Sequence, residues 1–125
     1  MTTIREPLQN RSGIFALDLV RVDDVEEHAL PGQSQVAIAD ALKNEGCQNL
    51  KAQKKVNGVP KTTRVYSLRD HEKYAAMSPA ELFDAYWQMR LKWTPQPSLD
   101  AIPEPYQSQE KQARIEAMKR IWQRQ

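Results

Sequence analysis

The chain holds 125 residues, with 18 Lys and Arg against 16 Asp and Glu and a formal net charge of +2. That length suffices for one domain with an appendage, and no apolar run approaches the ~20 residues of a membrane span. The N-terminus shows no basic-then-apolar export signal, and the single cysteine, Cys47, excludes an intramolecular disulfide and fits a reducing cytoplasm.

Charge is unevenly placed. Residues 18–27 carry five acids against Arg21 alone, residues 43–69 seven bases against Glu45, and residues 110–125 five bases against two acids. A local basic field attracts phosphate even when the whole chain is near neutral.

In chain order, residues 1–12 have little apolar surface and are expected to be a mobile arm. Residues 14–22 (IFALDLVRV) fit either a helical stripe through Ile14, Leu17 and Val20 or, in their later half, a short strand. Periodicity over so short a run does not choose between them. Asp23 or Asp24 can cap a short helix over residues 25–30, with Glu26 and Glu27 in its first turn. Pro31-Gly32 then breaks the chain.

Residues 33–45 predict a helix of about three turns, with Ser34 as N-cap, Val36, Ala39 and Leu42 on one apolar face with Ile38 beside them, and Gly46 as the left-handed stop. A lysine-rich strand follows (residues 50–56), then the turn signal Asn57-Gly58, then a return strand (residues 61–68). Pro60 lacks an amide hydrogen and reads as loop rather than central strand. Lys51, Lys54, Lys55 and Lys61 are expected around the open side of this ribbon.

Ser78-Pro79-Ala80-Glu81 forms a capping box with proline at the first helical position. The helix it opens should run to about Trp93, with Leu82, Phe83, Tyr86, Trp87 and Arg90 at helical spacing, a broad aromatic face suited to core or dimer packing. Residues 94–106 hold four prolines in thirteen positions and predict an extended, semi-rigid linker. Residues 108–125 are again helical, with a narrow stripe of Ile115, Met118, Ile121 and Trp122 and bases on the other side. The expected organisation is an arm over 1–12, a domain over 13–93, a linker over 94–107 and a basic amphipathic tail over 108–125.

Patterns for phosphate-cradling loops are missing. His28 and His71 lack a second ligand at i+3 or i+4, and Cys47 stands alone, so no zinc pattern is present. Asp23, Asp24, Glu26 and Glu27 could hold Mg²⁺, but a solvated helix start is the simpler reading. No catalytic residue, metal ligand or cofactor is predicted, and an enzyme has no positive support.

A helix followed by a basic two-stranded ribbon is the pattern of a winged helix-turn-helix, an α+β fold. On that reading residues 33–45 are the recognition helix. Gln33, Ser34 and Gln35 would reach base edges or phosphates, and Lys43 and Asn44 would extend the polar face. Lys51, Lys54, Lys55, Lys61 and Arg64 would contact phosphates.

The run Val36-Ala37-Ile38-Ala39-Asp40-Ala41-Leu42-Lys43-Asn44-Glu45-Gly46, the basic strand, Val56-Asn57-Gly58 and Arg64-Val65-Tyr66 together cover about a third of the chain. They resemble the small winged-helix domain near the C-terminus of phage and mobile-element replication proteins, including primase–helicases and the virulence-associated E type. Cys47 stands where an aromatic residue commonly follows the glycine in that family. The resemblance implies DNA binding in replication or its control. It does not imply ATP hydrolysis or priming, whose domains have no counterpart here.

Double-stranded DNA is thus the expected partner. A second expectation is a protein partner docked through residues 78–125, as in an adaptor that recruits a helicase or inhibits a host factor. Trp87, Trp93 and Trp122 on amphipathic helices suggest a homodimer.

Overall fold

Asn57 and Gly58 both adopt positive φ, +52° and +80°, the backbone that a two-residue hairpin turn demands. They join two nine-residue strands in a computed structural model of the chain, which describes residues 4–123. We label these strands β2 (Gln48–Val56) and β3 (Val59–Ser67). A short strand, β1 (Leu19–Val20), pairs with the far end of β3, Leu19 opposite Ser67 and Val20 opposite Tyr66. The sheet is antiparallel in the order β1-β3-β2, and the fold is α+β.

The ambiguous segment resolves as a 3₁₀ turn (Gly13–Ala16) leading into β1. Pro60 lies within β3, opposite Lys55, against the expectation of a loop. Because β1 covers only the far end of β3, the outer edge of β3 at Pro60 needs no hydrogen-bonded neighbour there.

Period-2 alternation divides the sheet between two cores. Val20 and Tyr66 enter one cluster with Ile38, Ala41, Leu42 and Cys47. Leu19, Ala52 and Val65 enter another with Tyr74, Leu82, Phe83, Tyr86 and Trp87. Three helices build the first side: α1 (Arg5–Gln9), α2 (Val22–His28) and α3 (Gln35–Asn44). Two build the second, α4 (His71–Ala75) and α5 (Pro79–Lys92), and α6 (Tyr106–Gln123) follows.

Residues 4–9 are not a free arm. Ile4 is 1 % exposed, and with Leu8 one turn later it packs against the cluster under α3. Residues 1–3 of the expected arm lie outside the described residues. Helix α3 has its predicted cap, with the Ser34 hydroxyl accepting the Ala37 N–H at 3.2 Å, and Gly46 follows at φ +82°. Its buried face departs from the expected one at Val36. Ile38, Ala41 and Leu42 are buried, whereas Val36 is 72 % exposed. Helix α5 carries the full capping box, Glu81 N–H to the Ser78 hydroxyl and Ser78 N–H to the Glu81 carboxylate, each at 3.2 Å.

The proline-rich stretch is no detached spacer. It makes a 3₁₀ turn (Leu99–Ala101) and buries Ile102 and Tyr106 against the α5 cluster. Helix α6 accordingly starts at Tyr106, two residues before the expected start. The aromatic face of α5 is itself core: Leu82, Phe83, Tyr86 and Trp87 are buried. Trp93 is half-buried on the other cluster, its indole N–H donating to the Gly13 carbonyl at 3.2 Å. Trp87 is thus committed to the core and Trp93 is half-covered within the chain, so the aromatic face of α5 is not the exposed surface expected for a partner. Among the described residues no helix is long and apolar enough to cross a membrane.

Candidate nucleic-acid interface

The lysines of the ribbon fall on two faces. Lys54 and Lys61 stand opposite each other on the face shared with Ala52 and Val65. Lys51 and Arg64 stand opposite each other on the face that carries Tyr66 into the cluster under α3, and Lys55 follows on the same face. Like charges directly opposite in an antiparallel pair repel, so each face has a cost to offset.

On the α5 face the chain offsets it internally. The Lys54 ammonium lies 2.8 Å from the Asp84 carboxylate. The Tyr106 hydroxyl donates to the same carboxylate, and the ammonium sits 5.8 Å from the centre of the Tyr106 ring. Lys54, expected to face phosphate, is thus turned inward and paired. Strand periodicity puts it beside Ala52, and α5 supplies its acid.

Burial pushes the Asp84 carboxyl up. The hydrogen bonds from Lys54 and Tyr106 and the lysine's charge outweigh that effect and hold it below the usual carboxylate range. A carboxyl depressed in the folded state adds stability above its unfolded pKa, near 4, and loses it as the pH falls through the folded value. We expect Asp84→Asn to lower the denaturation midpoint at neutral pH and to converge on the parent chain at about pH 2. Urea titrations at the two pH values check this; an equal difference at both would refute the assignment.

On the α3 face the pair is left open. Among the described residues no carboxylate pairs with Lys51, Lys55 or Arg64, and all three are exposed. Lys43 and Asn44 are exposed at the C-terminal end of α3, the helix that packs on this side of the sheet, and Lys43 adds a positive charge there. Lys61 is exposed on the opposite face near the tip.

The N-terminal end of α3 has a different character. The Gln35 amide donates to Asp23 at 2.5 Å and to Glu26 at 3.4 Å. Ser34 is spent on the helix cap, and Gln33 is exposed next to it. The acids of α2 thus crowd the residues expected to read bases, a setting unfavourable to phosphate. The structure gathers Lys51, Lys55 and Arg64 on one face of the ribbon, on the side of the sheet where α3 exposes Lys43 and Asn44 to solvent. It separates them from Gln33, Ser34 and Gln35, and it diverts Lys54.

Neither a family model, nor a curated protein, nor a solved structure matches this chain.

Two further basic residues serve the fold. Arg69, counted in the basic stretch, donates to the carbonyls of Phe15 (2.7 Å) and Leu17 (2.9 Å) and pairs with Asp18 at 3.0 Å. Arg90 lies inside the molecule at 2 % exposure and pairs with Asp24 at 3.2 Å. Asp24 also accepts the Tyr86 hydroxyl at 2.5 Å and the Arg21 N–H at 3.0 Å. Asp24 thus caps α2 from its third helical position, through the Arg21 N–H, and not as the N-cap residue itself; its carboxylate is committed to these donors. The remaining Arg90 donors reach His28 Nε2 at 3.0 Å and the Pro95 carbonyl at 3.1 Å. This buried network joins α2 to α5. The signal that could have revealed it is Arg90 itself, a cation in an apolar helical stripe that requires a buried acid. Cys47 is buried, and burial pushes its thiol up to about 11, so it stays protonated at neutral pH.

Proposed function

We propose that this protein is a winged-helix DNA-binding protein that grips duplex backbone with the α3-side face of its ribbon. The order of elements, a helical lead-in, β1, α2, α3, β2 and β3 with sheet order β1-β3-β2, supports the winged-helix reading. The observation that carries the function is the contrast between the two ribbon faces. One like-charged pair is neutralised by Asp84, while Lys51 and Arg64, with Lys55 beyond them, are left for an outside anion. Lys43 and Asn44 lengthen that surface toward α3. The acids around Gln35 weaken base reading at the helix N-terminus, so binding is led by phosphate and has little sequence preference. The resemblance of this stretch to replication proteins of phages and mobile elements favours a role in DNA replication or its regulation.

Fluorescence anisotropy with a labelled duplex, repeated across salt concentrations, tests this. Four phosphate contacts, from Lys43, Lys51, Lys55 and Arg64, predict that log K falls against log salt with a slope of about −3 to −4. A duplex that fails to bind, or binds with no salt dependence, would overturn the proposal.

A further inference from the structure

The hydrogen-bonding edge of β2 is bare along the strand. Val56 and Val59 close a two-residue turn, so they form a hydrogen-bonded pair, and every second pair back to Gln48 and Ser67 does the same. Asn49, Lys51, Gln53 and Lys55 therefore turn their N–H and C=O groups away from β3. β2 is the last strand of the sheet, and among the described residues no backbone group bonds to those outward groups. The opposite edge differs, because β1 covers one end of β3 and Pro60 removes an outward N–H near the other. Neither a bulge nor a proline interrupts β2. A long regular edge of this kind is a template for one more strand.

We infer that the β2 edge takes up an extended acidic peptide as a fourth, antiparallel strand. Lys51 and Lys55 lie along this edge, and among the described residues neither pairs with a carboxylate. A second copy would bring its own lysines to the same place, whereas a strand of opposite charge is attracted. Docked residues opposite Lys51 and Lys55 share their face of the sheet, so an acid at each forms a cross-strand ion pair. Docked residues opposite Ala52 and Lys54 point to the other face. There a hollow of about 380 Å³ beside Ser78, Pro79 and Ala80 has room for an apolar side chain. The recognised pattern is acid-apolar-polar-apolar-acid, with main-chain bonds from its first, third and fifth residues. Such a strand would compete with duplex for Lys51 and Lys55, but the open edge does not depend on the DNA reading.

Amide hydrogen exchange followed by NMR on the full chain, with no nucleic acid present, reads the edge directly. The probe is the peptide Glu-Val-Thr-Val-Glu, acetylated and amidated. So short an interface is weak, and half-saturation is expected at roughly 100 μM. Saturating peptide should slow exchange at least about fivefold at Lys51, Gln53 and Lys55, while Ala52 and Lys54, already bonded to β3, change little. N-methylation of the central threonine should abolish binding, whereas N-methylation of either valine, whose amide points away from β2, should not. Replacing both glutamates of the peptide by lysine should weaken binding at least about tenfold. No slowing at the three amides at about 1 mM peptide would overturn the inference. So would equal binding of the lysine peptide, or indifference to the methylated threonine. Protection of the same amides that grows with protein concentration in the absence of peptide would overturn it in favour of pairing between copies. Duplex binding is measured separately, so either reading can fail alone.

Discussion

Asp24→Ala is expected to cost about 3–5 kcal/mol of folding stability. The carboxylate is 7 % exposed and serves three donors from separate parts of the chain: the Arg21 N–H, the Tyr86 hydroxyl and the Arg90 guanidinium. Removing it leaves Arg90 as a buried cation without its anion and Tyr86 without its acceptor. Burial and the adjacent Asp24 charge push the Tyr86 hydroxyl up, so it remains a donor. A domain of this size holds only about 5–15 kcal/mol in total, so this one carboxylate accounts for a large share. Asp24→Asn keeps an acceptor but loses the charge and should fall between the parent and the alanine variant. Urea denaturation midpoints measure all three. A loss under about 1 kcal/mol for alanine would show that the α2–α5 joint rests on packing alone.

The elements legible in the sequence were those specified by adjacent residues. Asn57-Gly58 set the hairpin, Ser34 the start of α3, and Ser78 with Glu81 the start of α5. Each is a local backbone requirement met by a local residue type. What escaped depended on partners distant in sequence. Val36 and Ala41 both fit a helical stripe with Ile38, Ala39 and Leu42, and only packing in the cluster with Val20, Val25 and Tyr66 buries Ala41 and leaves Val36 out. Ile102 and Tyr106 looked isolated among prolines because their contacts lie on α5. The direction of Lys54 was within reach, since it shares period-2 parity with Ala52 and not with Lys51 or Lys55. Treating the lysines as one basic run hid that parity.

The same parity yields the sharpest test of the DNA interface. Lys51→Glu should weaken duplex binding at least about tenfold and make the salt slope shallower by about 1. Adding Lys55→Glu should extend the loss to about 100-fold. Loss of binding alone could reflect a damaged fold, but here stability should move the other way. Lys51 stands directly opposite Arg64, so a glutamate there replaces repulsion with an ion pair and should raise stability by roughly 0.2–1 kcal/mol. Lys54→Gln is the counterpart on the other face. It removes the Asp84 ion pair and should destabilise the chain while leaving affinity nearly unchanged. Affinity and stability would therefore separate cleanly between two lysines three residues apart. Were Lys54→Gln to weaken binding as much as Lys51→Glu, the division of the ribbon into a paired face and a phosphate face would be wrong. If the division holds, the unneutralised Lys51–Arg64 pair is a stability cost retained at a binding surface, as expected where function opposes an optimal fold.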